Sequence, residues 1–387
     1  MPSRIAAVLS SVVAIVVVSC SQNSQELTRK YVASGDEYAA KKNYSEAVIQ
    51  YRKAVSKDPS AGEARLKLGD AYTRTGDKNN ALREYVRAAD LLPNNTQAQL
   101  RAAKGLLESG QFADAKERAL GVLKNEPKNV DALVLAGYSM AALKDLDGAI
   151  SHVEQAVDAD PRNVMVYTNL GLLELAKGGR PAAESALKRA VEVAPKSSDA
   201  HLSLANFYWA GNQVADAERE FKTALELDPE SSVGNRAFAV FYTGTGRPAE
   251  AEPYFKRYVA VSKEVEARIV LADYYLAANR TKDALAELDG LVQTPDGFVV
   301  AKLRLAAIDY TNKRKPEAYS ALDEIFKREP KNDSALIQKS RFLYSDGKYA
   351  EALVAANTAT EVNPASPQAH YVRGLALEAT CAFDDGT

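Results

Sequence analysis

The sequence predicts an all-α protein built as a solenoid of antiparallel helix pairs, and three regularities support this prediction. An alanine, a tyrosine, a second alanine and a proline recur together at a constant interval. They are Ala47, Tyr51, Ala54 and Pro59 in one copy and Ala81, Tyr85, Ala88 and Pro93 in the next. A second apolar block precedes each copy, and a glycine often separates the two blocks. Because apolar residues at helical spacing indicate amphipathic helices, each copy is expected to form two of them.

The repeat continues through ten complete copies within residues 28–366. They span residues 28–61, 62–95, 96–129, 130–163, 164–197, 198–231, 232–264, 265–298, 299–332 and 333–366. A one-residue slip near Lys263 shortens the seventh copy. With positions counted from the start of each copy, a small residue at position 8 is expected to let the second helix approach closely, facing the alanine at position 20. The proline is expected to end the second helix, because it restricts the residue before it.

These residues resemble the tetratricopeptide repeat family, whose W-x2-L-G-x2-Y, A-x3-F and P pattern has the same period, about 34 residues. The resemblance covers nearly all of the chain after residue 27, although the third and ninth copies lack the aromatic pattern and the seventh and eighth lack the proline. It implies a right-handed superhelix with a concave inner surface, in which each copy packs only on its neighbours. An array of the HEAT type would need a longer period, roughly 40 residues or more.

The N-terminus consists of a short basic start and an apolar stretch that ends at a cysteine. After Arg4, an uninterrupted and largely apolar stretch runs from Ile5 to Val18. As a helix it would reach about 21 Å, against roughly 30 Å of hydrocarbon. Val17-Val18-Ser19-Cys20 is similar to the lipobox, so residues 1–19 are predicted to be removed, Cys20 to be lipidated and residues 20–27 to form a tether. The alternative is an uncleaved signal anchor with an inert buried thiol.

Residues 367–387 begin an eleventh copy. Gly374 takes position 8, Cys381 takes the position usually given to the turn glycine, and Gly386 takes that of the alanine. We expect this copy to be incomplete and the chain to be truncated. In the alternative interpretation the final helix is itself a cap, but a cap usually has a polar outer face.

Composition and motifs argue against an enzyme and against nucleic-acid binding. The charge is 49 minus 51, or −2, with both signs spread along the chain. Cys20 and Cys381 lie too far apart in sequence for a disulfide framework or a thiolate metal site. No phosphate loop, dinucleotide fingerprint, zinc-protease motif or nucleophile elbow is present. We therefore predict no catalytic residue, metal, cofactor or small-molecule substrate, and packing or surface roles for His152, His201 and His370.

The expected activity is therefore binding of protein or peptide partners on the inner surface. By position in the family, the predicted groove residues are Tyr138, Asn169, Leu172, Asn206, Trp209 and Arg236. Tyr208 takes a core position, which leaves its neighbour Trp209 for the groove, although Trp209 could instead pack on the next copy. The second and third copies would add a basic entrance of Lys67, Arg74, Arg101 and Lys104.

The combined features resemble bacterial lipoproteins with many tetratricopeptide units that are associated with exopolysaccharide and PEP-CTERM export. This resemblance implies a scaffold held at a membrane by Cys20 and facing the periplasm. Ser21 stands where an aspartate would retain a lipoprotein in the inner membrane, which favours the outer membrane. The alternative hypothesis is a recruitment module of a longer enzyme, a transferase or a peptidase.

Overall fold

The computed structural model describes the backbone of residues 24–384 and the side chains as far as Cys381. Across this range the chain forms α-helices joined by short turns, and none of the residues described is in a strand. The expected fold class, an all-α solenoid of helix pairs, is confirmed. The predicted signal peptide and Cys20 lie outside the described residues.

The chain divides into two compact units, Met1–Asn212 and Gln213–Thr387. The described helices of the first unit are α1 (24–40), α2 (Tyr44–Lys57), α3 (Gly62–Arg74), α4 (Lys78–Leu91), α5 (Thr96–Glu108), α6 (Phe112–Asn125), α7 (Val130–Ala142), α8 (Leu146–Ala159), α9 (Val164–Lys177), α10 (Arg180–Val193) and α11 (Ser198–Ala210). Those of the second unit are α12 (Val214–Leu227), α13 (Ser232–Gly244), α14 (Pro248–Ser262), α15 (Val265–Ala277), α16 (Thr281–Val292), α17 (Phe298–Thr311), α18 (Lys315–Arg328), α19 (Asp333–Ser345), α20 (Tyr349–Val362) and α21 (Pro367–Asp384). Within each unit, a helix packs on the helices before and after it.

The boundary between one copy and the next is set by a proline followed two residues later by an N-cap. The proline ends the second helix of a copy, and the side chain at position 34 then accepts a hydrogen bond from the first turn of the following helix. The residues that do this are Asn95, Asn129, Ser197, Ser231, Asn332 and Ser366. Local chemistry therefore starts each of these first helices where the repeat predicts it.

The turn within each copy requires left-handed backbone at position 15. Glycine supplies it at Gly76, Gly110, Gly178, Gly246 and Gly347. Where no glycine is present, a lysine or asparagine adopts the same conformation, with φ between 58° and 66°, as at Lys42, Lys144, Asn212, Asn279 and Lys313. Such a residue costs about 1–2 kcal/mol relative to right-handed backbone, so the surrounding structure must impose the turn.

The last described helix differs from the other first helices because it does not turn at position 15. Helix α21 continues through Cys381 to Asp384 and is 18 residues long, whereas the preceding first helix, α19, has 13. Cys381 is exposed within it. The expected start of a second helix at this point is therefore not seen in the described residues.

In the helix pairs α7–α8 and α9–α10, the core includes a close contact between positions 8, 20 and 24. Ala149 and Ala183, both at position 20, are completely buried. A Cβ atom added to Gly137 would lie 2.8 Å from Val153 Cγ2 and 3.1 Å from the Ala149 carbonyl oxygen. The predicted close approach at position 8 is thus present at Gly137, where it leaves no room for a side chain.

In the second unit, aromatic side chains of α12, α13 and α14 pack together in the core. Phe238 on α13 is completely buried, and its ring centroid lies 5.3 Å from that of Phe221 and 4.4 Å from that of Tyr242. Phe241 and Tyr254 lie 5.8 and 4.6 Å from Phe238 in the same way. Rings at these separations contribute about 0.5–1.5 kcal/mol per pair beyond the area they bury.

Neighbouring copies of the second unit are also joined by ion pairs between side chains. Arg247 lies 2.5 Å from Glu218 of the preceding copy, and its guanidinium stacks over the ring of Tyr242 at 4.7 Å. The hydrogen bond from Arg247 lowers the pKa of Glu218 to about 2. Arg280 and Glu252 repeat the arrangement one copy later, at 2.6 Å.

Candidate functional site

Two of the predicted groove residues are linked directly across neighbouring first helices. Tyr138 on α7 is half-buried and donates its hydroxyl hydrogen to Asn169 Oδ1 on α9. Burial raises the pKa of the Tyr138 phenol, which therefore stays protonated and able to donate. The position of each residue in its copy brings the two side chains together, although 31 residues separate them in sequence.

Asn169 is the more enclosed member of this pair. It is only 5% exposed, and its Nδ2 group has no hydrogen-bond partner in the part of the chain that the structure describes. A buried amide without a partner carries a desolvation cost, so such groups are rare in folded proteins. Asn169 lies beneath the surface, and its Oδ1 atom holds the Tyr138 hydroxyl in place.

Helix α9 also presents two large apolar side chains to solvent. Leu172 is 56% exposed and Met165 is 57% exposed. They are seven residues apart, which places them on the same side of the helix. Met165 was not among the predicted groove residues, although it takes position 2 of its copy, which was the signal that could have identified it. We call Tyr138, Met165, Asn169 and Leu172 together the α9 surface.

The next first helix, α11, carries two further predicted groove residues. Asn206 is exposed and Trp209 is half-buried. Tyr208 is only 5% exposed, in agreement with its predicted core position. Helix α11 packs on α9 within the first unit, so the polar amide and the indole belong to the helix beside the α9 surface.

Arg236, the sixth predicted groove residue, belongs to the second unit. It lies on α13 and is exposed. Val233 and Val240 on the same helix are 69% and 41% exposed. An arginine beside exposed valines offers both charge and apolar area to a partner. That the six predicted residues bind a partner stays a prediction.

The predicted basic entrance is largely neutralised by neighbouring carboxylates. Lys67 Nζ lies 2.8 and 2.6 Å from the two carboxylate oxygens of Asp36. Arg101 lies 3.4 Å from Asp70. These pairs leave little net positive charge on this face, so it offers weak attraction to an acidic partner.

His152 Nδ1 lies 2.9 Å from the carbonyl oxygen of Gly148 on its own helix, whereas the other two histidines have structural partners of a kind that recurs along the chain. His201 is 7% exposed, with Nε2 3.2 Å from the carbonyl oxygen of Pro195. His370 makes the same contact with the carbonyl oxygen of Pro364, at 2.9 Å. The side chain at position 4 of these copies thus contacts the carbonyl oxygen of the preceding proline. Within residues 24–384 no three histidine, cysteine, aspartate or glutamate side chains are grouped so that they could hold a metal ion.

Among residues 24–384, no helix has the combination of length and apolar composition that crossing a bilayer would need.

Sequence models of known families match most of the repeat region. A model described as "Tetratricopeptide repeat" matches residues 100–164, 168–232, 242–297 and 339–385, which is more than half of the chain. The chain belongs to the tetratricopeptide repeat family. A second model, "TPR repeat", matches residues 35–76, and another tetratricopeptide model matches residues 62–95. The family resemblance drawn from the sequence is thereby confirmed.

Solved structures of other proteins match parts of this chain. A protein from Parabacteroides merdae is 16% identical, with a TM-score of 0.55, over 64% of this chain and 98% of its own. The protein TTC0263 of Thermus thermophilus is 22% identical over 47% of this chain and 100% of its own, with a TM-score of 0.43. Pseudomonas aeruginosa PilF is 17% identical over 56% of this chain and 99% of its own, also with a TM-score of 0.43. A comparison with curated proteins found no match.

Membership of this family determines the general kind of activity. Tetratricopeptide repeats are typically non-catalytic modules that bind proteins or peptides. The chain is therefore a scaffold for protein–protein interaction, and the question that follows is which surface it uses.

Proposed function

We propose that the α9 surface binds an extended peptide segment of a partner protein. The observation that carries this proposal is the pair of exposed apolar side chains, Leu172 and Met165, beside the hydrogen-bonded pair of Tyr138 and Asn169. Burying one large apolar side chain contributes about 1.5–3 kcal/mol. Methionine adapts to partners of different shape.

Tyr138 and Asn169 would orient the bound peptide through hydrogen bonding. The Tyr138 oxygen can accept a hydrogen bond from a peptide N–H while its own hydrogen remains bonded to Asn169. Asn206 and Trp209, on the helix beside it, would extend the contact with an amide and a large ring, and tryptophan is common among the residues that dominate binding energy at interfaces. A segment with an apolar side chain flanked by free backbone amides fits this chemistry.

Replacing Leu172 by arginine is expected to weaken peptide binding at least tenfold, because a charge would replace the exposed apolar contact. Peptides that bind the wild-type protein would be selected by display, and their affinities measured by fluorescence anisotropy. The fold should be unaffected, since Leu172 is already 56% exposed.

The control is Ile49→Arg, which changes an apolar side chain of similar exposure, 49%, on a second helix. It should leave peptide affinity unchanged. Equal affinities for the Leu172 variant and the wild-type protein would exclude the α9 surface as the binding site.

We further propose that the scaffold is anchored by lipid at Cys20 and works in the periplasm, at the outer membrane, in envelope assembly or exopolysaccharide export. The support is the short basic start, the apolar stretch from Ile5 to Val18 and the small residue before Cys20. Several acyl chains on one cysteine anchor firmly, at about 0.8 kcal/mol per buried methylene.

In the organism, Cys20→Ala is expected to move the protein from the membrane fraction to the soluble fraction and to abolish incorporation of labelled fatty acid. Cys381→Ala is the control and should change neither result. Membrane retention and labelling of the Cys20 variant would show that the lipobox interpretation is wrong. The alternative function, a recruitment module of a longer enzyme, would be supported by a catalytic domain encoded after Thr387.

A further inference from the structure

A cleft of about 420 Å³ lies between α2, α3 and α4, away from every residue of the α9 surface. Four arginines line it, and we call it the arginine cleft: Arg52, Arg65, Arg83 and Arg87. Of the described residues that line it, one is a carboxylate, Glu84. The cleft therefore combines four positive charges with a single negative charge.

The one carboxylate is already engaged by the most buried arginine. Arg65 Nη1 lies 2.6 Å from Glu84 Oε2, and the two side chains are only 8% and 7% exposed. Arg65 also donates to the carbonyl oxygen of Pro59 at 2.9 and 2.8 Å. Because buried charges are costly unless they are paired and hydrogen-bonded, this pair is a structural element of the cleft floor.

Glu84 does not neutralise the other three arginines, because its single charge is already paired with Arg65. Arg83 and Arg87 lie 3.7 and 3.9 Å from Glu84 Oε1, at the outer limit of an ion pair. Arg52 makes neither an ion pair nor a hydrogen bond with any residue that the structure describes. A net charge of about +3 thus collects at one place in a chain whose overall charge is −2.

Two arginines on other second helices are different. Arg189 takes the same position in its copy as Arg87, and it has its own partner, Glu192, at 2.9 Å. Arg219 has Asp216 at 2.8 Å. Paired arginines of this kind are the ordinary solvated face of a helix. In the arginine cleft, by contrast, Arg65, Arg83 and Arg87 share the single carboxylate of Glu84. Arg83 also donates to Asn80 Oδ1 at 2.6 Å, but that amide carries no charge, so the excess positive charge favours an anion supplied from outside.

A second, larger cleft of about 680 Å³ adjoins the first, because Arg83 and Arg87 line both. It is lined by residues of α4, α5 and α6. Apolar side chains such as Leu82, Val86 and Val122 form part of it, and the rest includes Arg118 and three carboxylates, Asp114, Glu117 and Glu126. Gly121 on α6 lines it, and an added Cβ atom there would meet no atom within 4 Å, so the space beside this residue is open.

We propose that the arginine cleft binds the phosphate group of an organic phosphate, whose organic part lies in the adjoining cleft. Guanidinium groups match phosphate oxygens in pairs of parallel hydrogen bonds, and a phosphate dianion suits the excess of positive charge better than a single carboxylate does. The phosphate could belong to a soluble metabolite or to a phospholipid headgroup. The inference does not depend on the proposed peptide binding, because the two sites share no residue.

The decisive variant is the double substitution Arg52→Gln and Arg87→Gln, which leaves the structural pair of Arg65 and Glu84 intact. Binding of inorganic phosphate would be measured by isothermal titration calorimetry in phosphate-free buffer. We expect the double variant to bind at least tenfold more weakly than the wild-type protein. Arg189→Gln is the matched control and should bind as the wild-type protein does.

Two further measurements identify the source of the phosphate and the place of the organic part. Binding of glucose 6-phosphate is compared with sedimentation on phosphatidylglycerol vesicles, with phosphatidylcholine vesicles as the neutral reference. Preference for the sugar phosphate indicates a soluble ligand, and preference for the anionic vesicles indicates a headgroup. Gly121→Gln should weaken binding of the preferred ligand but not of inorganic phosphate.

The proposal is overturned if the wild-type protein binds neither phosphate nor anionic vesicles. It is equally overturned if the double variant binds as well as the wild-type protein, or if Arg189→Gln lowers affinity to the same extent. Unchanged binding of the organic ligand by Gly121→Gln would remove the adjoining cleft from the site.

Discussion

Replacing Phe238 by alanine is expected to lower the free energy of unfolding of the second unit by about 3–5 kcal/mol. Phe238 is completely buried and touches four other rings, and α12, α13 and α14 all contribute to that cluster. Three helices converge on one side chain, so the cavity left by alanine cannot close by the movement of a single neighbour. The loss should appear in urea denaturation followed by circular dichroism.

Hydrogen exchange provides the second measurement, because long repeat arrays need not unfold in a single step. Amides of α12–α14 should lose protection first in the Phe238 variant. The control is Val233→Ala on the same helix, where a side chain 69% exposed should change stability by no more than about 0.5 kcal/mol. A loss below about 1 kcal/mol for the Phe238 variant would show that the cluster is not a main source of stability.

The same substitution at position 8 is expected to have opposite effects in two copies. At Gly171, an added Cβ atom would lie 2.6 Å from Leu187 Cγ and 3.3 Å from the Ala183 carbonyl oxygen. Alanine must therefore push the second helix away, at a cost of about 1–3 kcal/mol. At Gly374, an added Cβ atom would meet nothing within 4 Å. Alanine should there stabilise α21 by about 0.5–1 kcal/mol through its higher helix propensity.

Thermal and urea unfolding of Gly171→Ala and Gly374→Ala would measure both effects. Each variant is the control of the other, since the two glycines share a position in the repeat and both lie inside a first helix. Equal destabilisation of the two would mean that position 8 needs glycine for the helix itself and not for its contact with the second helix.

Helix ends were predictable because they depend on residues close together in sequence. The proline at the end of a copy and the cap that follows, as in Pro93 and Asn95, act on their own backbone. The burial of the alanine at position 20 was predictable for a similar reason. The constant period of the repeat places this alanine opposite the small residue at position 8 in every copy that keeps both. Tyr208 could be placed in the core from the same register.

The candidate sites were predictable only in part. The register predicted that Tyr138, Leu172 and Asn206 lie on first helices, but not that Asn169 is buried beneath Tyr138. It gave no sign of the arginine cleft, because Arg52, Arg65 and Arg87 take three different positions in their copies. Such groupings depend on how far each long side chain reaches, and on which carboxylates stand nearby.

The sequence by itself determined the helix pairs, their boundaries and the family, because these follow from a period that local backbone chemistry enforces copy by copy. Only the tertiary structure decided which side chains meet between copies: the aromatic cluster around Phe238, the Tyr138–Asn169 pair and the convergence of arginines on Glu84. The physical reason is that a repeat specifies where each Cβ atom points. The partner that a long or polar side chain finds depends on the neighbouring copy, whose residues differ at these positions.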